Sequence, residues 1–241
     1  MTIARKTKTA LGGSLVLAVI AAIVTVAKVN QPADLTLVPE MAKAPVILAD
    51  GRNLHVQKYE VTIAEWNLCH AAGACSLKVR TRPNMDPRTT PATGLNFVDV
   101  GEYLAWINAQ SNHPFRLPSM QEWDEFAADV LPEAPGPLFT DPALSWASAY
   151  LVENLPSRGL KPTGSFPMSK AGISDLTGSV WEWTQDCYDN EDTERCAAFY
   201  VAGEHAAAIP FLVRDPARGG CAVGAPPAHL GLRLVSDKPV T

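Results

Sequence analysis

An uncharged run of 18 residues, Ala10 to Ala27, lies between Lys8 and Lys28 near the start of the chain. Wound as a helix, 18 residues reach about 27 Å, close to the thickness of a bilayer's hydrocarbon core. Arg5, Lys6 and Lys8 precede the run, and by the positive-inside rule they hold the N-terminus in the cytoplasm and send the rest across. The layout that follows is a cytoplasmic N-terminus over 1–9, a transmembrane helix over 10–28, a stalk over 29–45 and a folded domain over 46–241. The anchor is bounded by Ala10 and Ala27, and the protein is placed in a bacterial inner membrane as a single-pass protein with its C-terminal domain in the periplasm. The alternative is a cleaved signal peptide, with Thr25-Val26-Ala27 as a tolerable cleavage site, although an apolar core of about 7–15 residues is usual there. No cysteine precedes Cys69, which removes a lipoprotein-type anchor. Gly12, Gly13, Ala18, Ala21 and Ala22 are small enough to let a neighbouring helix approach closely, so an integral membrane partner is expected.

The remaining stretch of roughly 190 residues is enough for one domain with a sizeable core. Apolar residues are 47% of the chain and charged residues 19%, which excludes a disordered chain. The formal net charge of −5 argues against nucleic-acid binding, which calls for a basic face. The short basic stretch of Arg80, Arg82 and Arg88 reads as a solvated loop.

Five cysteines fall as two local pairs and one remainder. Cys69 and Cys75 enclose a tight loop, Cys187 and Cys196 enclose another, and Cys221 stands apart. That pattern fits two short disulfides in an oxidising compartment. A zinc site on the four paired cysteines is the alternative, but neither pair has two-residue spacing and no histidine pair accompanies them.

Proline-bearing polar sequence over 30–44 reads as the stalk. Val46 to Val61 alternates around the turn dipeptide Asp50-Gly51 and predicts a hairpin. Thr62 and Glu65 form a capping-box pattern opening a helix toward Cys69, ended by Gly73. Val100, Tyr103, Leu104 and Ile107 recur at helical spacing over 99–109. Ser119 and Glu122 form a second capping box, opening a helix through Ala128. After Val130, prolines and glycines recur and regular elements must be short. Val180 to Thr184 predicts a strand with Trp181 and Trp183 on one face and Glu182 on the other. Leu230 to Val235 predicts a closing strand. The sum is a single loop-rich α+β domain, preceded by one transmembrane helix.

Four segments in order carry a resemblance. They are Tyr59-Glu60-Val61-Thr62-Ile63-Ala64-Glu65-Trp66 with Cys69 and Ala72-Gly73-Ala74-Cys75; Pro91-Ala92-Thr93-Gly94-Leu95-Asn96-Phe97-Val98-Asp99 with Tyr103-Leu104-Ala105-Trp106-Ile107-Asn108; Phe115-Arg116-Leu117-Pro118-Ser119 with Glu122-Trp123; and Gly164-Ser165-Phe166-Pro167, Gly172 to Trp183, Arg218-Gly219-Gly220 and Gly231-Leu232-Arg233-Leu234-Val235. Together they resemble the formylglycine-generating-enzyme family, also called the sulfatase-modifying-factor domain, over about residues 50–236. The resemblance implies a C-type-lectin-like variant fold. It also implies three kinds of relative: copper-dependent oxidases that turn a sulfatase cysteine into formylglycine, iron-dependent enzymes that make sulfoxide or carbon–sulfur bonds, and exported domains with no established activity.

In the copper enzymes of this family two cysteines lie between the Arg-Gly-Gly and Gly-Phe-Arg motifs. Counting from Gly220 puts those positions at Gly224 and His229, neither a thiol, while Cys221 occupies a position that is usually serine. Only ten residues separate Gly220 from Gly231, and the active relatives have many more. Copper(I) takes two soft thiolates, so copper is not expected. A lone Cys221 would need a cation nearby, such as Arg214, Arg218 or His229, to lower its pKa. Its structural alternative is a small half-buried side chain in place of serine. His55, His70, His113, His205 and His229 are scattered and do not suit the histidine-rich iron site of the other branch. Calcium is the metal the resemblance favours, held by Ser179, the Val180 carbonyl, Glu182 and Asp186, although Ser179 replaces the family's asparagine and calcium wants six to eight oxygens. The alternative for Glu182 is a buried carboxylate held by Arg233 or backbone amides. Arg116 is expected to pair with Glu122 or an early carboxylate, and the tryptophans Trp66, Trp106, Trp123, Trp181 and Trp183 to pack in the core. The functional expectation is a non-catalytic accessory or scaffolding subunit of a membrane or periplasmic complex, with a divergent oxidoreductase centred on Cys221 as the alternative. A ligand-binding module using lectin-type loops is a third reading, without a cluster of loop aromatics and carboxylates to support it.

Overall fold

A computed structural model describes residues 34–131, 159–189, 195–203, 206–214, 221–222 and 229–240. The apolar run Ala10–Ala27, and with it the expected span or leader, lies outside the described residues. Among the described residues no helix is long and apolar enough to cross a membrane.

Among the described residues three α-helices and eight strands follow one another. β1 (Val46–Ile47) and β2 (Asn53–Val56) form the hairpin expected around Asp50-Gly51. α1 (Ile63–Ala71), α2 (Phe97–Ser111) and α3 (Met120–Ala127) come next. β3 (Val180–Cys187), β4 (Ala198–Ala202), β5 (Ala207–Pro210), β6 (Cys221–Ala222), β7 (His229–Gly231) and β8 (Val235–Ser236) complete the order. Each helix opens on a reciprocal cap. Thr62 Oγ1 accepts from Glu65 N while Glu65 Oε2 accepts from Thr62 N, and Ser119 with Glu122 does the same. The third such box, Asn96 with Asp99, starts α2 two residues before the expected 99. Each box satisfies two backbone N–H groups that the first turn leaves without partners.

The strands form two sheets. The smaller has the order β1-β2-β8, and the larger has β6-β5-β4-β3-β7. β3 pairs antiparallel with β4 and parallel with β7. That parallel pair depends on Gly231, where an added Cβ would lie 2.7 Å from Val180 Cγ1 and 3.0 Å from the Ala92 carbonyl oxygen. β3 is buried on both faces, so Glu182 is as enclosed as the tryptophans beside it.

The core has two parts. α1 and α2 pack on the larger sheet through Trp66, Tyr103, Trp183 and Phe199, with Trp66 stacked on Tyr103 at 5.2 Å between ring centroids. α3 packs through Trp123 and Phe126 onto Leu54, Val56 and Val235 of the smaller sheet.

Two expectations need correction. Leu230–Val235 is not one strand: β7 ends at Gly231, Leu232 to Leu234 cross between the sheets, and β8 begins at Val235. Residues 34–41, expected within a stalk, are also packed on the domain. Asp34 N donates to the Gln110 carbonyl at 3.0 Å, a 3₁₀ turn runs over Leu35–Leu37, and Leu37, Val38 and Met41 pack against the main core. Three apolar side chains placed every few residues find that core despite the polar and proline-bearing sequence around them.

Candidate functional site

Where the two sheets meet, the chain buries a charge. Arg233 sits in the crossing segment between β7 and β8 and is fully buried. Its guanidinium donates to both oxygens of Glu182, with Nη2 at 2.7 Å from Oε1 and Nε at 3.1 Å from Oε2. It also donates to the carbonyls of Gln57, Lys58 and Ser174. Trp123 Nε1 donates to Glu182 Oε2 at 2.8 Å, which brings α3 into the same knot. Gln57 Oε1 accepts from Leu234 N next door. One arginine therefore ties β3 to the segment after β2 and to the loop at Ser174, which a lysine with a single ammonium could not do.

Glu60 lies at the margin of this knot. It is buried, its Oε2 is 3.9 Å from Arg233 Nη2, too far for a hydrogen bond, and that oxygen has no partner among the described residues. Burial raises its pKa to about 8. Arg233 opposes the shift, and the nearby Glu182 and Asp175 carboxylates add to it. Asp175 is itself committed to the loop before it, accepting from Gly164 N and Phe166 N.

The oxygens expected to hold calcium have other work. Glu182 has both carboxylate oxygens on Arg233 and Trp123, and Asp186 Oδ2 accepts from Met120 N at the start of α3. Val180, whose carbonyl was the third expected oxygen, is in the parallel ladder with β7. These residues do not fit a six-to-eight-oxygen cage, because the buried carboxylate of the set, Glu182, already neutralises a buried guanidinium.

The cysteines assemble as pairs. Cys69 is bonded to Cys75 with Cα atoms 5.3 Å apart, and Cys187 to Cys196 with Cα atoms 5.7 Å apart. Asp189 joins the second pair within 4.8 Å. Both sulfurs there are in the disulfide, so they supply no thiolate for a metal. Cys221 begins β6, in register with Ala208. Arg214, one cation considered for it, is held instead by Asp99 in a two-pronged pair at 2.6 and 2.7 Å. Arg218 and Gly224 lie outside the described residues. His229 stands on β7, opposite Val180. Arg116 makes the expected pair with Glu122, at 2.6 and 2.8 Å, and extends it to Asp237.

Two surface clefts are lined by described residues. The first, of about 370 Å³, has Leu77, Val79, Met85 and the buried Ile63 in its lining. Lys78, Arg80, Arg82, Arg214 and His229 supply its polar side, and no aspartate or glutamate lines it among the described residues. The second, of about 480 Å³, holds Glu40, Glu60 and Glu65 together with Arg88. The basic stretch read as one solvated loop is exposed at Arg80, Arg82 and Arg88, but its partners differ. Arg88 pairs with Asp86 at 2.7 Å, whereas Arg80 and Arg82 turn to the first cleft. The signal that could have separated them is local: Asp86 lies two residues from Arg88, and no carboxylate lies that close to Arg80 or Arg82.

Comparisons with known proteins agree with the motifs. The profile of the sulfatase-modifying factor enzyme 1-like domain matches residues 39–238. The chain is 26% identical to the formylglycine-generating enzyme of Mycobacterium tuberculosis over 179 residues, covering 61% of this chain and 57% of that protein. It is 28% identical to the serine/threonine-protein kinase Pkn1 of Chlamydia trachomatis over 131 residues, covering 54% of this chain and 19% of the kinase. The match therefore spans less than two thirds of either relative. Among solved structures, PvdO from Pseudomonas aeruginosa superposes with a TM-score of 0.50 at 20% identity, covering 77% of this chain and 80% of that one. Treponema denticola variable protein 1 superposes with a TM-score of 0.51 at 14% identity, covering 77% and 85%. Those two likenesses concern the fold.

Proposed function

The chain belongs to the sulfatase-modifying factor enzyme 1-like domain family, and from that premise we propose that it is a non-catalytic member. In this reading it is anchored in the inner membrane through Ala10–Ala27, displays its domain in the periplasm, and serves as an accessory or scaffolding subunit of a membrane or periplasmic complex.

The thiol inventory carries the reading. Of five cysteines, four are joined in two disulfides, which leaves Cys221. A copper(I) site of the kind implied by the catalytic branch needs a pair of thiolates, and one cysteine cannot supply it. The positions where that pair would fall are Gly224 and His229. The parts that remain are those that hold the fold: the Arg233–Glu182 knot, the three caps and the two disulfides. An exported, braced domain without its thiol pair is suited to holding a partner rather than to oxidising one.

Copper(I) titration of the purified chain, followed by incubation with a cysteine peptide in air, tests the first half. No tight one-to-one copper(I) complex and no aldehyde product are expected. A tight complex with peptide oxidation would overturn the reading. Purification from membranes in mild detergent tests the second half, with a stoichiometric integral membrane partner as the expected result. The alternative, a divergent oxidoreductase acting through Cys221, predicts that Cys221→Ser abolishes function; the accessory reading predicts an unchanged complex.

A further inference from the structure

We propose that the cleft lined by Glu40, Glu60 and Glu65 binds a primary alkylammonium group, carried by a free aliphatic diamine or by a lysine of a partner protein. The cleft, of about 480 Å³, is lined by residues between Gln57 and Glu65 and by Arg88, Thr89 and Thr163. Two of its charges are already paired. Lys58 Nζ donates to Glu40 Oε1 at 2.8 Å, and Arg88 holds Asp86 at 2.7 Å. Glu65 and Glu60 remain. Glu65 Oε2 accepts from Thr62 N and Thr62 Oγ1, each at 2.7 Å, in the cap of α1. Glu60 is 2% exposed, and its Oε2 is closed to water and has no hydrogen-bond partner. Among the described residues no other carboxylate oxygen is in that state. A buried acceptor without a donor costs free energy, which a ligand that brings the donor recovers.

The acidic excess calls for a cation, and the geometry selects its kind. A metal ion draws its oxygens to about 2.0–2.6 Å. Among the described residues only Cys187, Asp189 and Cys196 bring three candidate ligand atoms within 4.8 Å of one another, so the three carboxylates of the cleft do not converge on one ion. A guanidinium prefers both oxygens of one carboxylate, and at Glu65 that fork would compete with the cap of α1. A single ammonium needs one oxygen at a time. Lys58 shows the same chemistry within the chain: its ammonium rests on Glu40 and lies 4.8 Å from the centroid of the Tyr59 ring. The aliphatic stem of the ligand fills the length of cleft that a bare ion would leave to water. The terminal torsion of a glutamate is broad, so the Glu60 carboxyl turns toward an entering cation without a backbone shift. Glu60 also reports the occupant. Burial, opposed by Arg233 and aided by Glu182 and Asp175, raises its pKa to about 8, so at neutral pH the empty cleft holds a protonated Glu60. An ammonium beside it favours the carboxylate, and binding expels that proton to solvent. The amine, with an ordinary pKa of about 10.4, keeps its own.

This site stands whether or not the domain is catalytic. The test is calorimetric titration of the full chain, in mild detergent, with 1,5-diaminopentane and separately with a short lysine peptide blocked at both termini. Each is run in phosphate and in Tris buffer near neutral pH. Saturable binding of at least one probe is expected, with about one proton released per ligand, read from the difference in heat between the buffers. Affinity should rise by up to about tenfold per pH unit between about pH 6 and pH 8. Glu60→Gln, which has the shape of the protonated carboxyl, should weaken binding at least about tenfold and remove both the proton release and the pH slope. Glu125→Gln, on a carboxylate outside the cleft, should leave binding within about twofold. A melting temperature no lower than the parent's in Glu60→Gln keeps a folding defect from imitating the result. Tighter binding of the diamine assigns the site to a free amine, and tighter binding of the peptide assigns it to a partner's lysine. No saturable binding of either probe, binding without proton release, binding indifferent to Glu60→Gln, or calcium chloride releasing the proton where neither amine does overturns the proposal.

Discussion

Arg233 has five acceptors within reach, and few side chains could replace it. Its guanidinium serves the Gln57, Lys58 and Ser174 carbonyls as well as both oxygens of Glu182. Arg233→Met removes those donors together and leaves the buried Glu182 carboxylate without its counter-charge. Denaturant unfolding should show a loss of about 3–5 kcal/mol. Arg233→Lys should recover little of it, because one ammonium cannot serve five acceptors. Glu60 makes a prediction of the opposite kind. Its folded pKa of about 8 lies above the ordinary 4.5, so the folded state holds a proton that the unfolded chain releases. The stability tied to that proton is fully present below about pH 4.5 and is lost as pH rises through about 8. Glu60→Gln should therefore flatten the fall in unfolding free energy between those two values; a slope equal to that of the parent protein would count against a protonated Glu60.

The helices and the disulfide loops were legible as elements. Thr62 with Glu65, and Ser119 with Glu122, start helices where their pattern says they should. Asn96 with Asp99 carries the same signal, and attention to apolar spacing alone places that start two residues late. The closing segment was not legible. Leu230, Leu232 and Leu234 look like one apolar strand, but each is fully buried, and the charged residue among them, Arg233, is the point at which the chain changes sheets. Among the braces, Cys69–Cys75 lies at the end of α1 with both residues buried. Cys69→Ala with Cys75→Ala should lower stability by about 2–3 kcal/mol if closing this short loop acts through chain entropy, measured as a shift of the urea midpoint with an unchanged slope.

At the scale of the whole molecule, the accessory reading makes the apolar run Ala10–Ala27 a working part. If it anchors the chain, alkaline carbonate should leave the protein in the membrane pellet, and a chain lacking 10–28 should become extractable while its domain keeps the same melting temperature. Release of the full-length chain by carbonate, or a mature N-terminus after Ala27, would remove the anchor from the reading. What sequence alone determined about this protein is local. Capping boxes, the Asp50-Gly51 turn, the cysteine pairs and the ordered family motifs depend on residues within a few positions of one another, and near-neighbour chemistry is written in order along the chain. Tertiary structure alone decided the rest. Glu182 could have met a cation or a guanidinium, and only the meeting of two sheets chose Arg233, 51 residues away. Arg80 and Arg82 are exposed, as in a solvated loop, and only the fold of 77–79 against α1 put them along a cleft that no described carboxylate lines. Charge in a protein is decided by what lies within a few ångströms, and for these residues that distance is set by folding and not by sequence separation.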